Sequence, residues 1–61
     1  MFFATIDIKG KRYPITVYPV YYVEIDEVIY EAVHVETGLS VKWRTLHAAL
    51  EQLAMLLVEN E

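Results

Sequence analysis

Residues 2–8, FFATIDI, alternate along the chain, with Phe2, Ala4, Ile6 and Ile8 on one side and Phe3, Thr5 and Asp7 on the other. A period of two is the mark of a half-buried strand. A short turn centred on Gly10 and Lys11 follows. Residues 13–17, YPITV, then alternate Tyr13, Ile15 and Val17 against Pro14 and Thr16. These two runs predict a β-hairpin. Pro14 has no N–H for a ladder, which predicts a strand start or an edge. Further on, AVHVETGLSVKW reads as a second hairpin turning at Thr37-Gly38, with Val33, Val35, Val41 and Trp43 expected on one face.

The C-terminal pattern changes period. Thr45 is placed to cap a helix. Leu46, Leu50, Leu53 and Leu57 fall at i, i+4, i+7 and i+11, one stripe of a 3.6-residue repeat. Ala49 and Ala54 widen that stripe, and His47, Glu51 and Gln52 mark its solvent side. Ala48 stands where a capping-box glutamate would be.

Between the hairpins the two periods compete. Ile25, Val28, Ile29, Ala32 and Val33 match a helix by spacing, whereas the abundance of Val, Ile and Tyr matches a strand by residue type. A helix here would have to stop at once, because Val33 to Val35 must already be extended to reach the Thr37-Gly38 turn. The strand reading is therefore preferred. It ends strand two at Pro19, leaves residues 20–25 extended or bulged, bends at Asp26-Glu27 and runs strand three from Val28 to Glu36. The predicted fold is α+β: a four-stranded antiparallel sheet of two hairpins with one C-terminal helix packed on one face. Residues 1–61 make a single small domain of β-β-β-β-α order.

That architecture leaves a sheet face uncovered, which the pattern fills with Thr5, Thr16, Tyr18, Tyr30, Ala32, His34, Ser40, Lys42 and Arg44. The opposite, covered face is expected to take Val33 and Val35 with the leucine stripe. Residues 18–36 hold four of the five tyrosines and five of the nine acidic residues, with no Gly, Lys or Arg. Tyrosine suits a surface that is apolar in its ring and wet at its hydroxyl.

Composition sharpens the expectation of a partner. A 61-residue chain hides only about 60% of its unfolded surface. It has no cysteine for a disulfide, yet 56% of its residues are hydrophobic. Some apolar surface is therefore expected to meet another chain. A homodimer is predicted, through the tyrosine-bearing sheet face or through Met55 and Leu56 on the helix.

Charge and motif narrow the chemistry. The net charge of −4 disfavours general nucleic-acid binding, which needs a basic face. The alternative nucleic-acid reading rests on two clusters, Lys9, Lys11 and Arg12 at the first turn and Lys42, Trp43 and Arg44 near the second hairpin's end. The acidic group Glu24, Asp26, Glu27, Glu31 and Glu36 contains no glycine of the kind a calcium loop turns on. His34 and His47 lack ligand spacing for zinc, so no metal and no cofactor is expected. Ser40 is the single serine, and nothing identifies a base for it, so no enzyme is expected. No basic start followed by an apolar run opens the chain, and the apolar stretch 48–58 is too short to span a bilayer. No membrane association and a cytoplasmic location are expected.

Three local stretches resemble known families. VIYEAVHVETGLSVK resembles the second and third strands of a protein-kinase small lobe, without the glycine-rich loop that precedes them there, and implies only two strands and a Thr-Gly turn. TLHAALEQL resembles the Thr-Leu-x-x-Ala-Leu helix start of HicB-type antitoxins, small sheet-plus-helix proteins that neutralise a toxin. Their Pro-Gly-Cys segment is missing here. FFATIDIKGKRYPITVY with that helix is similar to small phage proteins that inhibit host enzymes. The resemblances imply a small, phage- or plasmid-borne regulator or inhibitor. The binding surface expected from the residues is Tyr18, Tyr21, Tyr22 and Tyr30 as anchors, rimmed by Glu24, Asp26, Glu27 and Glu31.

Overall fold

A computed structural model describes residues 1–60. Four strands, β1 (Phe2–Ile8), β2 (Lys11–Tyr22), β3 (Glu27–His34) and β4 (Leu39–Trp43), form one antiparallel sheet in the order β1-β2-β3-β4. Helix α1 (Leu46–Glu59) packs on one face, against β4, β3 and β1. The predicted β-β-β-β-α fold is the observed one.

The helix forms where the stripe predicts it. The Thr45 hydroxyl accepts the Ala48 N–H at 3.2 Å, satisfying one otherwise unpaired donor of the first turn. Asn60 closes the other end, with its backbone N–H and its side-chain amide both donating to the Leu56 carbonyl. Ala49, Leu53 and Leu57 are buried, and Leu46 and Leu50 pack at their margin. On the sheet they meet Tyr13, Ile15, Val17 and Ala32, with Ala4, Ile6, Ile8, Tyr30, Leu39 and Val41 around them.

Residues 28–34 are strand, so residue type outweighs the helical spacing there. Four details correct the sequence reading. First, β2 does not end at Pro19 but continues to Tyr22, and β3 begins at Glu27 after a turn over Val23–Asp26. The two prolines explain how one strand holds both. Neighbouring strand residues point their N–H groups to opposite sides, and Pro14 and Pro19 are five apart. Pro14 pairs with Thr5 of β1 and so directs its missing donor toward β3, whose pairing stops at Thr16. Pro19 pairs with Tyr30 of β3 and directs its missing donor toward β1, whose pairing stops at Val17. Each proline lies where the neighbouring strand has ended.

Second, the β3–β4 connection is a four-residue loop over residues 35–38, since His34 pairs with Leu39. Thr37 holds it: its hydroxyl lies 2.8 Å from His34 Nδ1 and accepts the Leu39 N–H at 3.3 Å. Gly38, at φ +77°, donates its N–H to the His34 carbonyl at 2.8 Å. β3 therefore ends at His34, not Glu36. A one-residue change of register turns every side chain of a strand over. Tyr30, Ala32 and His34 face the helix, whereas Val33 faces the open side and Val35 lies exposed in the loop.

Third, His34 is buried rather than exposed, edge-on to Tyr13 with ring centroids 5.3 Å apart. Fourth, Leu56 is half-buried, so the exposed apolar residues of the helix are Met55 and Val58.

Candidate functional site: a protruding hairpin arm

β2 outruns both neighbours. β1 accompanies it only as far as Val17, leaving Tyr18–Tyr22 without a strand on that side. β4 accompanies β3 only from Tyr30 onward, leaving Glu27–Ile29 without one on the other. The upper β2–β3 hairpin is thus a two-stranded arm standing off the sheet. Its two-stranded part, Val20–Tyr22 with Glu27–Ile29, is three residues at about 3.3 Å each plus the turn, roughly 13 Å long. It accounts for the molecule's extents of 38 × 19 × 18 Å.

Two-stranded hairpins are marginal alone, and this one has devices that fix it. The turn N–H groups of Ile25 and Asp26 donate to the carbonyls of Tyr22 and Val23. Asp26 takes φ +51°, the left-handed region that Asp tolerates better than most residues. The Tyr21 hydroxyl donates to the Asp26 carboxylate, tying strand to turn. That bond, and to a lesser extent loss of water around the hydroxyl, raises the Tyr21 pKa above its usual 10.0. At the base, Arg44 Nε lies 3.4 Å from Glu27 Oε2. Glu27 Oε2 is buried and makes no hydrogen bond, so the contact is a charge pairing without hydrogen-bond geometry.

The arm's surface is apolar to an unusual degree for something so exposed. Val23 is 74% exposed, Tyr21 57% and Ile25 51%, with Val20, Val28 and Tyr18 also open. Tyr21 and Val28 pair on the helix-side face. Tyr18, Val20 and Tyr22 lie on the opposite face with Ile29. Glu24 and Asp26 stand at the tip, and Glu27 and Glu31 line the β3 side.

The predicted residues Tyr21, Tyr22, Glu24, Asp26 and Glu27 therefore gather on the arm, and Tyr18 and Glu31 pair with each other at its base, where β4 still flanks β3. Tyr30 does not join Tyr18 on the open face. It turns toward the helix, half-buried, as the register of β3 requires. The sequence reading missed Val20, Val23 and Ile25. Their signal was an apolar run continuing past a strand-ending proline into a turn.

The basic residues do not combine into one face. Lys9, Lys11 and Arg12 sit at the β1–β2 turn. Trp43 lies level with Pro19, eight residues or about 26 Å along β2 from Lys11. Arg12 is paired with Asp7 at 3.4 Å, Lys42 stands opposite Glu31, and Lys11 Nζ lies over the Tyr13 ring at 5.0 Å. His34 and His47 are equally separated: His34 is in the core, and His47 pairs with Glu51 on the helix surface. Among the described residues, no three His, Cys, Asp or Glu side chains are placed to hold a metal ion. No helix there is long and apolar enough to cross a membrane.

No protein-family model, no curated protein and no solved structure matches this chain.

Proposed function

We propose that this chain is a non-catalytic protein-binding module, a small regulator or inhibitor that acts by occupying a partner protein with its hairpin arm. The observation that carries the reading is the arm itself. It exposes Val20, Tyr21, Val23, Ile25 and Val28 with no strand or helix among the described residues to cover them. Contiguous exposed apolar surface rimmed by polar groups marks an interaction site. Aromatic anchors dominate the energy of such contacts, and rim charges steer encounter. The complementary surface is a narrow apolar groove with a basic rim, which the tip carboxylates Glu24 and Asp26 would approach. The separation and internal pairing of the basic clusters weigh against the nucleic-acid alternative.

Affinity capture from extracts of the source cells tests the reading, with wild type and Val23→Asp/Ile25→Asp used side by side. Both changed positions are in the exposed turn, so the fold is expected to persist. The expected result is a captured protein that wild type retains and the variant loses by at least about tenfold, roughly 1.4 kcal/mol. Equal capture by both would overturn it. Binding to an oligonucleotide that falls steeply with added salt would instead favour the basic clusters.

A further inference from the structure

The outer edge of β1 is the longest unpaired edge in the sheet. Ala4 and Ile6 bond inward to β2, because Thr5 faces Pro14, which has no N–H to exchange. Phe3, Thr5 and Asp7 therefore direct their N–H and C=O groups outward. Edges are ordinarily blunted by proline, lysine or a bulge. The free edge of the arm has Pro19, whereas β1 has none of these and a single charge, Asp7, already held by Arg12.

A groove runs beside this edge on the helix face. Ile8 forms its floor, and Ala54, Met55, Val58 and Glu59 form its wall. No residue of β2 lines it, so it opens outward past β1. Met55 is 57% and Val58 46% exposed.

We propose that β1 adds antiparallel to β1 of a second copy about a two-fold axis at Thr5, seating Phe2 of each copy in the other's groove beside Ile8, Met55 and Val58. The occupant follows from self-complementarity. Pairing about Thr5 uses the outward donors of Phe3, Thr5 and Asp7 together and sets Phe2 opposite Ile8 of the second copy. Both side chains are on the helix face, and a two-fold axis normal to the sheet keeps both helices on that face. Asp7 meets Phe3 rather than a second Asp7, so no like charges oppose. The strand that supplies the floor of the groove at one end thus supplies its occupant at the other, as an isologous contact requires. The apolar stock supplies part of the contact: at 37% and 76% exposure, Phe2 and Phe3 still offer roughly 55–90 Å² and 115–190 Å² of an aromatic side chain's area, Met1, Met55 and Val58 add to this, and the strand ladder itself has to bury the rest of the roughly 800 Å² per partner of a stable dimer. The proposal does not rest on the arm's role, because the arm stands clear of this flank.

Two measurements on the full chain test it. Sedimentation equilibrium is expected to give about 14 kDa for wild type, twice 7.1 kDa, and 7.1 kDa for Val58→Lys with an unchanged circular dichroism spectrum. The chain has no cysteine, so Thr5→Cys introduces a lone thiol. In the proposed register the two Cα atoms lie about 5.5 Å apart, which a disulfide spans. Mild oxidation should cross-link Thr5→Cys to a dimer and leave Ser40→Cys, on the opposite edge, at monomer mass. Val23→Asp/Ile25→Asp should remain dimeric, which separates this contact from the arm. A wild type at 7.1 kDa up to about 1 mM overturns the proposal. So does a dimer that Val58→Lys leaves intact or in which Thr5→Cys fails to cross-link.

Discussion

Leu53→Ala removes three carbons from a side chain that is fully buried at the centre of the helix–sheet contact. Transfer of those carbons to water alone is worth about 2.4 kcal/mol. The residual cavity adds to this, since Ala49 and Leu57 are anchored on the same stripe and the sheet below is held by its ladder. The total falls near 3–4 kcal/mol, inside the roughly 2–5 kcal/mol span of Leu→Ala changes in cores. A chain of 61 residues has a stability on the order of 3–9 kcal/mol, so this one change removes a third or more of it. Urea unfolding followed by circular dichroism measures the loss, at one fixed protein concentration because the proposed self-association would add stability by mass action. In a melting experiment the same loss should appear as a drop of about 12–32 °C. Glu51→Ala, on the solvent side beside His47, serves as the control and is expected to stay within about 0.5 kcal/mol. A Leu53→Ala cost under about 1 kcal/mol, or one equal to the control, would refute the docking of α1 described here.

Other consequences follow from single contacts. Thr45→Ala should destabilise by about 0.5–2 kcal/mol, read in the same urea assay, because the Ala48 N–H loses its acceptor. Gly38→Ala should cost about 1–2 kcal/mol, because φ +77° is strained for alanine; a new Cβ meets nothing within 4 Å, so Gly38→Asn should cost less. Tyr21 should titrate above 10.0 in an ultraviolet absorbance titration, and Asp26→Asn should bring it down. A phenol whose folded pKa is raised holds its proton longer when folded. Its contribution to stability is therefore complete below pH 10.0 and is lost as pH rises through the higher folded value.

Much of this fold is legible along the chain, for identifiable reasons. The first hairpin shows because FFATIDI and YPITV each keep one apolar face, and the helix shows because a capping threonine precedes a leucine stripe. The register of β3 does not show. Thr37-Gly38 resembles a two-residue turn, but the Thr37 hydroxyl bonds back to His34 and draws Val35 and Glu36 into a four-residue loop. A period of two makes that small difference exchange the two faces of β3. His34 in the core is invisible for a related reason: its polarity reads as surface until Thr37 and the Tyr13 ring are found beside it. The arm was half legible. The tyrosines and carboxylates of residues 18–31 stood out by composition. That Tyr21, Tyr22, Glu24, Asp26 and Glu27 share one free-standing hairpin, while Tyr18, Tyr30 and Glu31 stay with the sheet, depends on where β1 and β4 stop, which only the pairing of the strands reveals.

The central claim is that the arm is the surface that meets another protein. Site-resolved photo-cross-linking in the source cells tests it most directly, with a benzophenone amino acid placed singly at Val23, at Ile25 and, for comparison, at Ser40. All three positions are exposed, so none should disturb the fold. The account predicts one discrete heterologous adduct from Val23 and Ile25 and none from Ser40. An adduct from Ser40 with none from either arm position would contradict it.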